Sequence, residues 1–262
     1  MCAQCAEQET GQSPSHLHRR SFLKASGATI AMAFVGAGAF SSMAHADALT
    51  KAQRDKLSPD DILALMKKGN KRFYTGKRAD HNFLAQQRAS AKGQYPAAVL
   101  LTCIDSRASA ETILDLRIGD VFNSRVAGNV QNSDILGSME FACKVSGAKV
   151  VLVMGHTACG AIKGAIDNAE LGNLTGLLTK IKPAVTATPY SGERSSKNNA
   201  FVDAVARKNV EITLGEIRKN SSVLAEMESK GAIKIAGAMY NLETGVIDFF
   251  AGESTSGDSK PQ

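Results

Sequence analysis

Short apolar runs alternate with longer stretches of helical spacing over most of the chain. The runs at residues 97–101, 121–126 and 149–154 are bounded by turn residues, which is typical of buried parallel strands. Apolar residues three and four positions apart predict helices at residues 58–74, 83–91, 108–114, 134–146, 160–168, 174–185 and 200–219. This order predicts an α/β fold, in which a mostly parallel central sheet is flanked by helices and preceded by an N-terminal helical arm.

Local sequence signals mark a helix start, a loop, a terminal hairpin and the tail of the predicted domain. The run Ser-Pro-Asp-Asp at residues 58–61 is a strong helix start, because it supplies a capping hydroxyl, a preset backbone angle and negative charge. Residues 186–198 are polar and rich in turn formers, which indicates a loop. Residues 233–242 and 246–250 flank a short turn and predict a terminal hairpin. The tail from about residue 252 is small and polar, so we expect it to be disordered.

The first 46 residues have the pattern of an export signal. An arginine pair within residues 18–24 resembles the twin-arginine motif of bacteria. Residues 25–44 are mildly apolar, and residues 44–46 give the small-x-small pattern of a signal peptidase site. A membrane anchor is the alternative, but three glycines make the apolar stretch a weak span. We therefore expect cleavage, a single mature domain at residues 47–262, and a periplasmic or secreted protein without a stable membrane anchor.

Charge and cysteine usage exclude several classes of protein. The net charge of +6 is spread along helix surfaces without a basic stripe, so we expect no nucleic-acid partner. Removal of the signal leaves Cys103, Cys143, Cys159, His81 and His156 as the cysteines and histidines of the mature chain. An odd number of cysteines argues against a disulfide framework. Cys143 lies in an apolar helical stretch and is expected to be a buried small hydrophobic residue.

Three of these residues follow two predicted strands. Cys103 comes soon after residues 97–101, and His156 and Cys159 come after residues 149–154. Because open α/β sheets bind ligands at the carboxyl ends of their strands, we expect the three side chains to lie together. Two thiolates and an imidazole suit zinc, and three protein ligands leave a fourth position open for chemistry.

Two other interpretations of this set remain open. A structural zinc site would need a fourth ligand, for which Cys143 and His81 are available. A redox pair of Cys103 and Cys159 is also possible, although it gives His156 no part.

Asp105 and Arg107 stand two and four residues after Cys103. Arginine forms a planar, bidentate pair with a carboxylate and stays charged. An Asp105 held by Arg107 could accept a hydrogen bond from zinc-bound hydroxide and orient it. A released Asp105 could bind zinc itself and close the site. The pair is therefore predicted to be a catalytic device or a gate.

Three motifs resemble those of the β-class carbonic anhydrases. The family pattern is Cys-x-Asp-Ser-Arg, then an arginine-containing strand leading into Ala-Gly-Asn, then Gly-His-x-x-Cys-Gly. Here these segments are residues 103–107, 124–129 and 155–160, in the same order. The resemblance covers most of the mature chain, from about residue 67 to residue 250.

The resemblance implies a β-carbonic anhydrase-like fold and one zinc ion per subunit. The zinc ligands would be Cys103, His156 and Cys159, joined by Asp105 only in a closed state, and Asp105 with Arg107 would form the catalytic dyad. The implied reaction is the reversible hydration of carbon dioxide to bicarbonate and a proton, by attack of zinc-bound hydroxide.

Two substrate-binding groups are implied as well. Gln94 lies nine residues before Cys103 and matches a glutamine with which plant-like members bind substrate. A surface turn residue is the alternative interpretation of Gln94. The amide of Gly160 would supply a second donor for the substrate oxygen.

A regulatory pocket of one subgroup is only partly matched. That pocket binds inhibitory bicarbonate with a tryptophan, an arginine and a tyrosine. Arg125 and Tyr240 match the last two, but Leu100 stands at the tryptophan position and the chain has no tryptophan. We therefore expect an open, plant-like active site, in which Arg125 could be structural.

The family builds its active site at a dimer interface, with N-terminal helices that wrap the partner, so the resemblance implies a homodimer or a dimer of dimers. Two other functions stay open. One is a zinc-binding relative that lacks hydratase activity or acts on another small electrophile, and the other is a non-enzymatic metal-binding or redox protein. The Asp105–Arg107 dyad and Gln94 favour the hydratase.

Overall fold

A five-stranded sheet forms the centre of residues 48–251, which are the residues that the computed structural model describes. Its strands are β1 (Ala98–Thr102), β2 (Val121–Arg125), β3 (Val150–His156), β4 (Lys234–Tyr240) and β5 (Ile247–Ala251). They lie in the order β2-β1-β3-β4-β5. The first four are parallel and β5 is antiparallel to β4, which confirms the mostly parallel sheet and the terminal hairpin.

Helices occupy most of the connections between these strands. They are α1 (Lys51–Lys56), α2 (Pro59–Tyr74), α3 (Phe83–Ser90), α4 (Ala110–Ile113), α5 (Ser133–Glu140), α6 (Gly160–Ile166), α7 (Gly172–Thr179), α8 (Lys182–Ala187), α9 (Asn199–Asn220) and α10 (Ser222–Ser229). A 3₁₀ turn, Ala127–Asn129, follows β2, and a π turn, Phe141–Val145, extends α5.

Three helical details differ from the expectation. The single helix predicted at residues 174–185 is two helices, because Pro183 lacks an amide hydrogen and sits in the first turn of α8. Two further helices, α1 and α10, were not predicted, although Thr50 and Ser221 cap their first turns. The predicted signal peptide and the tail from residue 252 lie outside the described residues.

The helices α9 and α2 cover opposite faces of the sheet. Val99 of β1 points to the face on which Phe201 of α9 packs, and Leu100 points to the face on which Met66 of α2 packs. This alternation is what a strand buried on both faces requires. Full burial of each such side chain contributes about 1.5–3 kcal/mol, so both helices are held firmly against the sheet.

Asp115 ties the N-terminal helices to the segment between α4 and β2. Its side chain is fully buried and accepts hydrogen bonds from Arg72 Nε and from the Ala79 amide at 3.0 Å, and it pairs with His81 Nε2 at 2.8 Å. Burial opposes ionisation, but these donors outweigh it and lower the pKa of the Asp115 carboxyl. The backbone of Asp115 has a φ of 51°, which aspartate and asparagine tolerate better than most residues.

Replacing Asp115 by alanine should lower the free energy of unfolding by about 3 kcal/mol, because the buried His81 side chain and the Ala79 amide lose their acceptor. Urea unfolding at pH 7 measures this loss. Asp115→Asn is the matched control, since it keeps the size and an acceptor oxygen and should cost less. Because the folded-state pKa is lowered, the stabilisation is present above the unfolded pKa and fades as the pH falls through the folded pKa. An alanine variant as stable as the wild type would contradict this role.

Candidate active site

Cys103, His156 and Cys159 converge at the carboxyl edge of the sheet. Cys103 follows β1 directly, Cys159 caps the start of α6, and all three side chains are buried. His156 is the last residue of β3, so this strand runs two residues further than predicted. The two Sγ atoms lie 3.9 Å apart, and the three ligand atoms all lie within 4.8 Å of one another. The residues predicted to meet at this edge therefore do meet.

The arrangement fits a tetrahedral zinc ion. Zinc–sulfur bonds of about 2.3 Å in a tetrahedron place two sulfurs about 3.8 Å apart, close to the observed separation. His156 Nδ1 lies 2.9 Å from the Thr157 carbonyl oxygen, which can only accept, so Nδ1 carries the hydrogen. This leaves a lone pair on Nε2, which is buried and has no hydrogen-bond partner. A buried nitrogen lone pair that receives no hydrogen bond and lies beside two thiols is typical of a residue that binds a metal ion.

The electrostatics of the two thiols also favour a cation. The hydrogen bond from Cys159 lowers the pKa of Cys103, with help from His156. The neighbouring Cys103 thiolate and burial raise the pKa of Cys159. Burial opposes protonation of His156, but its interaction with Cys103 outweighs this and raises its pKa. Two buried thiolates at this distance repel each other, and a cation bound between them would offset this repulsion.

Neither candidate for a fourth ligand joins the group. Within residues 48–251, the set of Cys103, His156 and Cys159 is the sole group of three or more residues placed to hold a metal. His81 pairs with Asp115, and burial raises the pKa of the Cys143 thiol to about 12. The three ligands therefore leave one coordination position free of cysteine and histidine.

Asp105 and Arg107 form a bidentate pair beside these ligands. Arg107 donates from Nε to Asp105 Oδ1 at 2.9 Å and from Nη2 to Oδ2 at 2.8 Å, and its amide also reaches Oδ1 at 3.0 Å. This pairing holds the pKa of the Asp105 carboxyl well below its usual range. Oδ2 lies 3.8 Å from His156 Nε2, so the carboxylate borders the metal site while Arg107 holds it.

Arg125 supports the loop that carries these groups. Its guanidinium donates from Nε to the Cys103 carbonyl at 2.9 Å and from Nη2 to the Asp105 carbonyl at 2.6 Å. Register places Arg125 beside Thr102, the last residue of β1. These contacts give Arg125 a structural part, which the sequence left as one possibility.

Two residues of α9 that the sequence did not single out also hold the ligand loops. Asn209 donates from Nδ2 to the Gly128 carbonyl at 2.7 Å, and the Gly128 amide lies 3.4 Å from Cys103 Sγ. Asp203 accepts a hydrogen bond from the Ala158 amide at 2.7 Å. No sequence motif marks either residue, because their partners are distant in the chain.

The two predicted substrate-binding groups lie in different places. Gly160 begins α6 directly after Cys159, is exposed, and has open space where a side chain would be. Gln94 is exposed in the loop before β1, at the amino edge of the sheet. The five residues of β1 alone separate that edge from Cys103 by about 16 Å. The structure therefore does not bring Gln94 to the metal ligands of its own subunit.

Of the positions in the partly matched regulatory pocket, Leu100 and Tyr240 are buried and Arg125 is exposed. Leu100 is fully buried in the middle of β1, and Tyr240 ends β4 opposite His156. Arg125 already donates to two carbonyl oxygens. Leu100 is smaller than a tryptophan and Arg125 is already engaged, and the absence of a bicarbonate pocket stays a prediction.

The chain is similar to known proteins in sequence and in fold. The family model described as carbonic anhydrase matches residues 98–247, which is more than half of the chain. Carbonic anhydrase 2 of Mycobacterium tuberculosis is 34% identical over 182 residues, covering 69% of this chain and 87% of its own. The crystal structure of the β-carbonic anhydrase CafA of Aspergillus fumigatus is similar with a TM-score of 0.56 and 28% identity, over 64% of this chain and 81% of that one. A tetrameric β-carbonic anhydrase of Sordaria macrospora gives a TM-score of 0.54 and 25% identity, over 61% and 82%.

The N-terminal part of the chain matches a second family model. Residues 16–36 match the twin-arginine translocation signal, which supports export by that route. Among the helices of the described residues, none has the length and hydrophobicity needed to cross a membrane.

Motifs, site geometry and comparisons agree with one another. The predicted α/β fold and the predicted enzyme class, carbonic anhydrase, are confirmed. With the three motifs at the ends of neighbouring strands and a family match over most of its sheet, the chain belongs to the β-carbonic anhydrase family.

Proposed function

We propose that the mature chain, residues 47–262, is an exported zinc enzyme that interconverts carbon dioxide and water with bicarbonate and a proton. The observation that carries this proposal is the unpartnered Nε2 of His156, which lies between two thiols and a carboxylate held by arginine. Cys103, His156 and Cys159 would hold one zinc ion per subunit. Bound zinc supplies the Lewis acidity that lowers the pKa of a water molecule.

The chain's own residues then orient the reactants. Arg107 occupies Asp105 Oδ1 and one lone pair of Oδ2, which fixes the plane of the carboxylate. The second lone pair of Oδ2 can accept a hydrogen bond from the attacking water and aim the oxygen at carbon dioxide. Gly160 is an exposed residue beside Cys159, and its amide would donate to an oxygen of the substrate as negative charge develops there.

Gln94 would serve the active site of a second subunit. It lies at the opposite edge of the sheet from Cys103 of its own chain, so a substrate contact needs another copy. A homodimer or a dimer of dimers supplies such a copy, and the Sordaria relative is described as tetrameric. The twin-arginine signal supports a periplasmic or secreted location after cleavage behind residue 46.

Stopped-flow carbon dioxide hydration on protein of known zinc content tests the proposed function. We expect turnover that scales with the zinc content and disappears when a chelator removes the metal. Zinc-loaded protein that hydrates carbon dioxide no faster than buffer would refute the hydratase and favour a related reaction on another small electrophile.

Activity should rise with pH along a single-group curve, and bicarbonate should inhibit only as a competing product. We expect no anion pocket that could favour a closed state, because Leu100 stands in place of a tryptophan and Arg125 is engaged, and a ligand shifts an equilibrium only through differential affinity. Asp105 stays ionised because Arg107 lowers its pKa, so one group, the attacking water, controls the rate. The measurement is a pH–rate profile with and without added bicarbonate. Steep, cooperative loss below neutral pH, or a crystal structure near pH 7 with Asp105 on zinc, would contradict the open site.

A further inference from the structure

The turn between His156 and Cys159 contains a conformationally unfavourable residue. Ala158 has a φ of 53°, in the left-handed region that residues other than glycine rarely adopt. Only Thr157 and Ala158 separate the two zinc-ligating side chains, so this backbone angle sets their separation and direction. A strained residue at a site persists where its surroundings over-determine its conformation.

The contacts of the turn identify what holds it in place. The Thr157 amide donates to the Tyr240 carbonyl at 3.0 Å, and the Leu242 amide donates to Thr157 Oγ1 at 3.0 Å. These two bonds fix the His156 side of the turn to the end of β4. On the other side, the Ala158 amide donates to Asp203 Oδ1 at 2.7 Å, across 45 residues of sequence.

Asp203 stands on a rigid support. It lies in the second turn of α9, directly after Phe201 and Val202, both fully buried in the core. Its side chain is half-buried, and its bond to Ala158 is a charge-assisted one to a backbone amide. The helix is therefore held in place by its own core contacts, independently of the turn.

We infer that Asp203 is a positioning residue for the metal site: its carboxylate holds the Ala158 amide so that His156 and Cys159 present their ligand atoms together. This rests on the proposed zinc site, and it adds a residue that contacts neither the ligand atoms nor the substrate. Residues that orient metal ligands in this way often change metal affinity 10- to 100-fold when replaced.

The test is zinc affinity measured by competition with a chelator of known affinity. We expect Asp203→Ala to weaken zinc binding by about 10- to 100-fold. Asp203→Asn keeps an acceptor oxygen at the same place and should stay within about threefold of the wild type. Asp203→Glu keeps the charge but moves the acceptor by one methylene, so it should also weaken binding, and it replaces the alanine variant if that variant does not fold.

Glu211→Ala is the matched control. Glu211 is a half-buried acid on the same helix that pairs with Arg207 and Lys208 and should leave zinc affinity unchanged when removed. The absorption bands of cobalt-substituted protein give a second readout. They should shift in Asp203→Ala and stay unchanged in Asp203→Asn and Glu211→Ala, whereas a general loss of stability would not move them.

The outcomes separate this inference from the proposed function. A wild-type protein that binds no zinc would refute the metal site itself. If the wild type binds zinc and the alanine and glutamate variants bind it equally well, only the role of Asp203 is overturned. Equal losses in the asparagine and alanine variants would also overturn it, because the acceptor would then not be what matters.

Discussion

Replacement of His156 by alanine is expected to abolish zinc binding and, with it, carbon dioxide hydration. The variant keeps two buried thiols 3.9 Å apart, and two ligands do not hold zinc well against water. Zinc content should fall from about one ion per subunit to near zero. The same result is expected for Cys103→Ala and Cys159→Ala, since each removes one of three protein ligands.

Elemental analysis of purified protein measures this loss directly. Cys143→Ala is the matched control, because Cys143 is equally buried but lies outside the ligand group. Its pKa is raised to about 12 by burial, so it does not form a thiolate near neutral pH. Unchanged zinc content in all three ligand variants would refute the assignment, and loss of zinc in Cys143→Ala would show that Cys143 is a fourth ligand.

Asp105→Asn should keep zinc but lower turnover by about 100-fold or more, because an amide cannot accept from water and from Arg107 as a carboxylate does. Arg107→Ala should have a similar effect by freeing Asp105 to reorient or to bind the metal. Arg107→Lys should recover little, since an ammonium group cannot form the two parallel bonds to Asp105 Oδ1 and Oδ2.

The control for this pair is Asp55→Asn at the other edge of the sheet. Asp55 Oδ1 also accepts a hydrogen bond from an arginine, Arg54, at 2.7 Å. The carbonyl oxygen of Asp55 accepts a hydrogen bond from Lys149, which directly precedes β3. The Asp55→Asn variant should leave turnover unchanged. Hydration rates are compared at equal zinc content, so that a lower rate cannot be caused by loss of the metal. Wild-type rates in zinc-loaded Asp105→Asn and Arg107→Ala would refute the dyad.

The sheet and the metal ligands could be predicted because their signals are local. Continuous apolar runs marked the strands, and the carboxyl ends of parallel strands necessarily share one edge, which brought Cys103 and His156 together. The boundaries were less certain. Residues 155 and 156 look like part of a loop motif, yet both pair with β4.

The supporting residues could not be predicted because their signals are tertiary. Asp203 looks like any charged residue on an amphipathic helix, and only the folded chain shows its bond to Ala158. Arg125 could be matched to a family position, but its bonds to two carbonyl oxygens depend on the path of the Cys103 loop. For Gln94, the strand predicted at residues 97–101 already lay between it and Cys103, so its separation from the metal ligands of its own subunit followed from the sequence.

The hydrogen bond between Asp203 of α9 and the Ala158 amide also bears on when the metal site can be completed during synthesis. A growing chain exposes Cys103, His156 and Cys159 well before Asp203, which follows Ala158 by 45 residues. It exposes β4, the neighbour of β3, later still. We therefore expect a nascent chain that already contains every zinc ligand to hold the metal poorly, and the ion to be retained only once nearly the whole domain has left the ribosome.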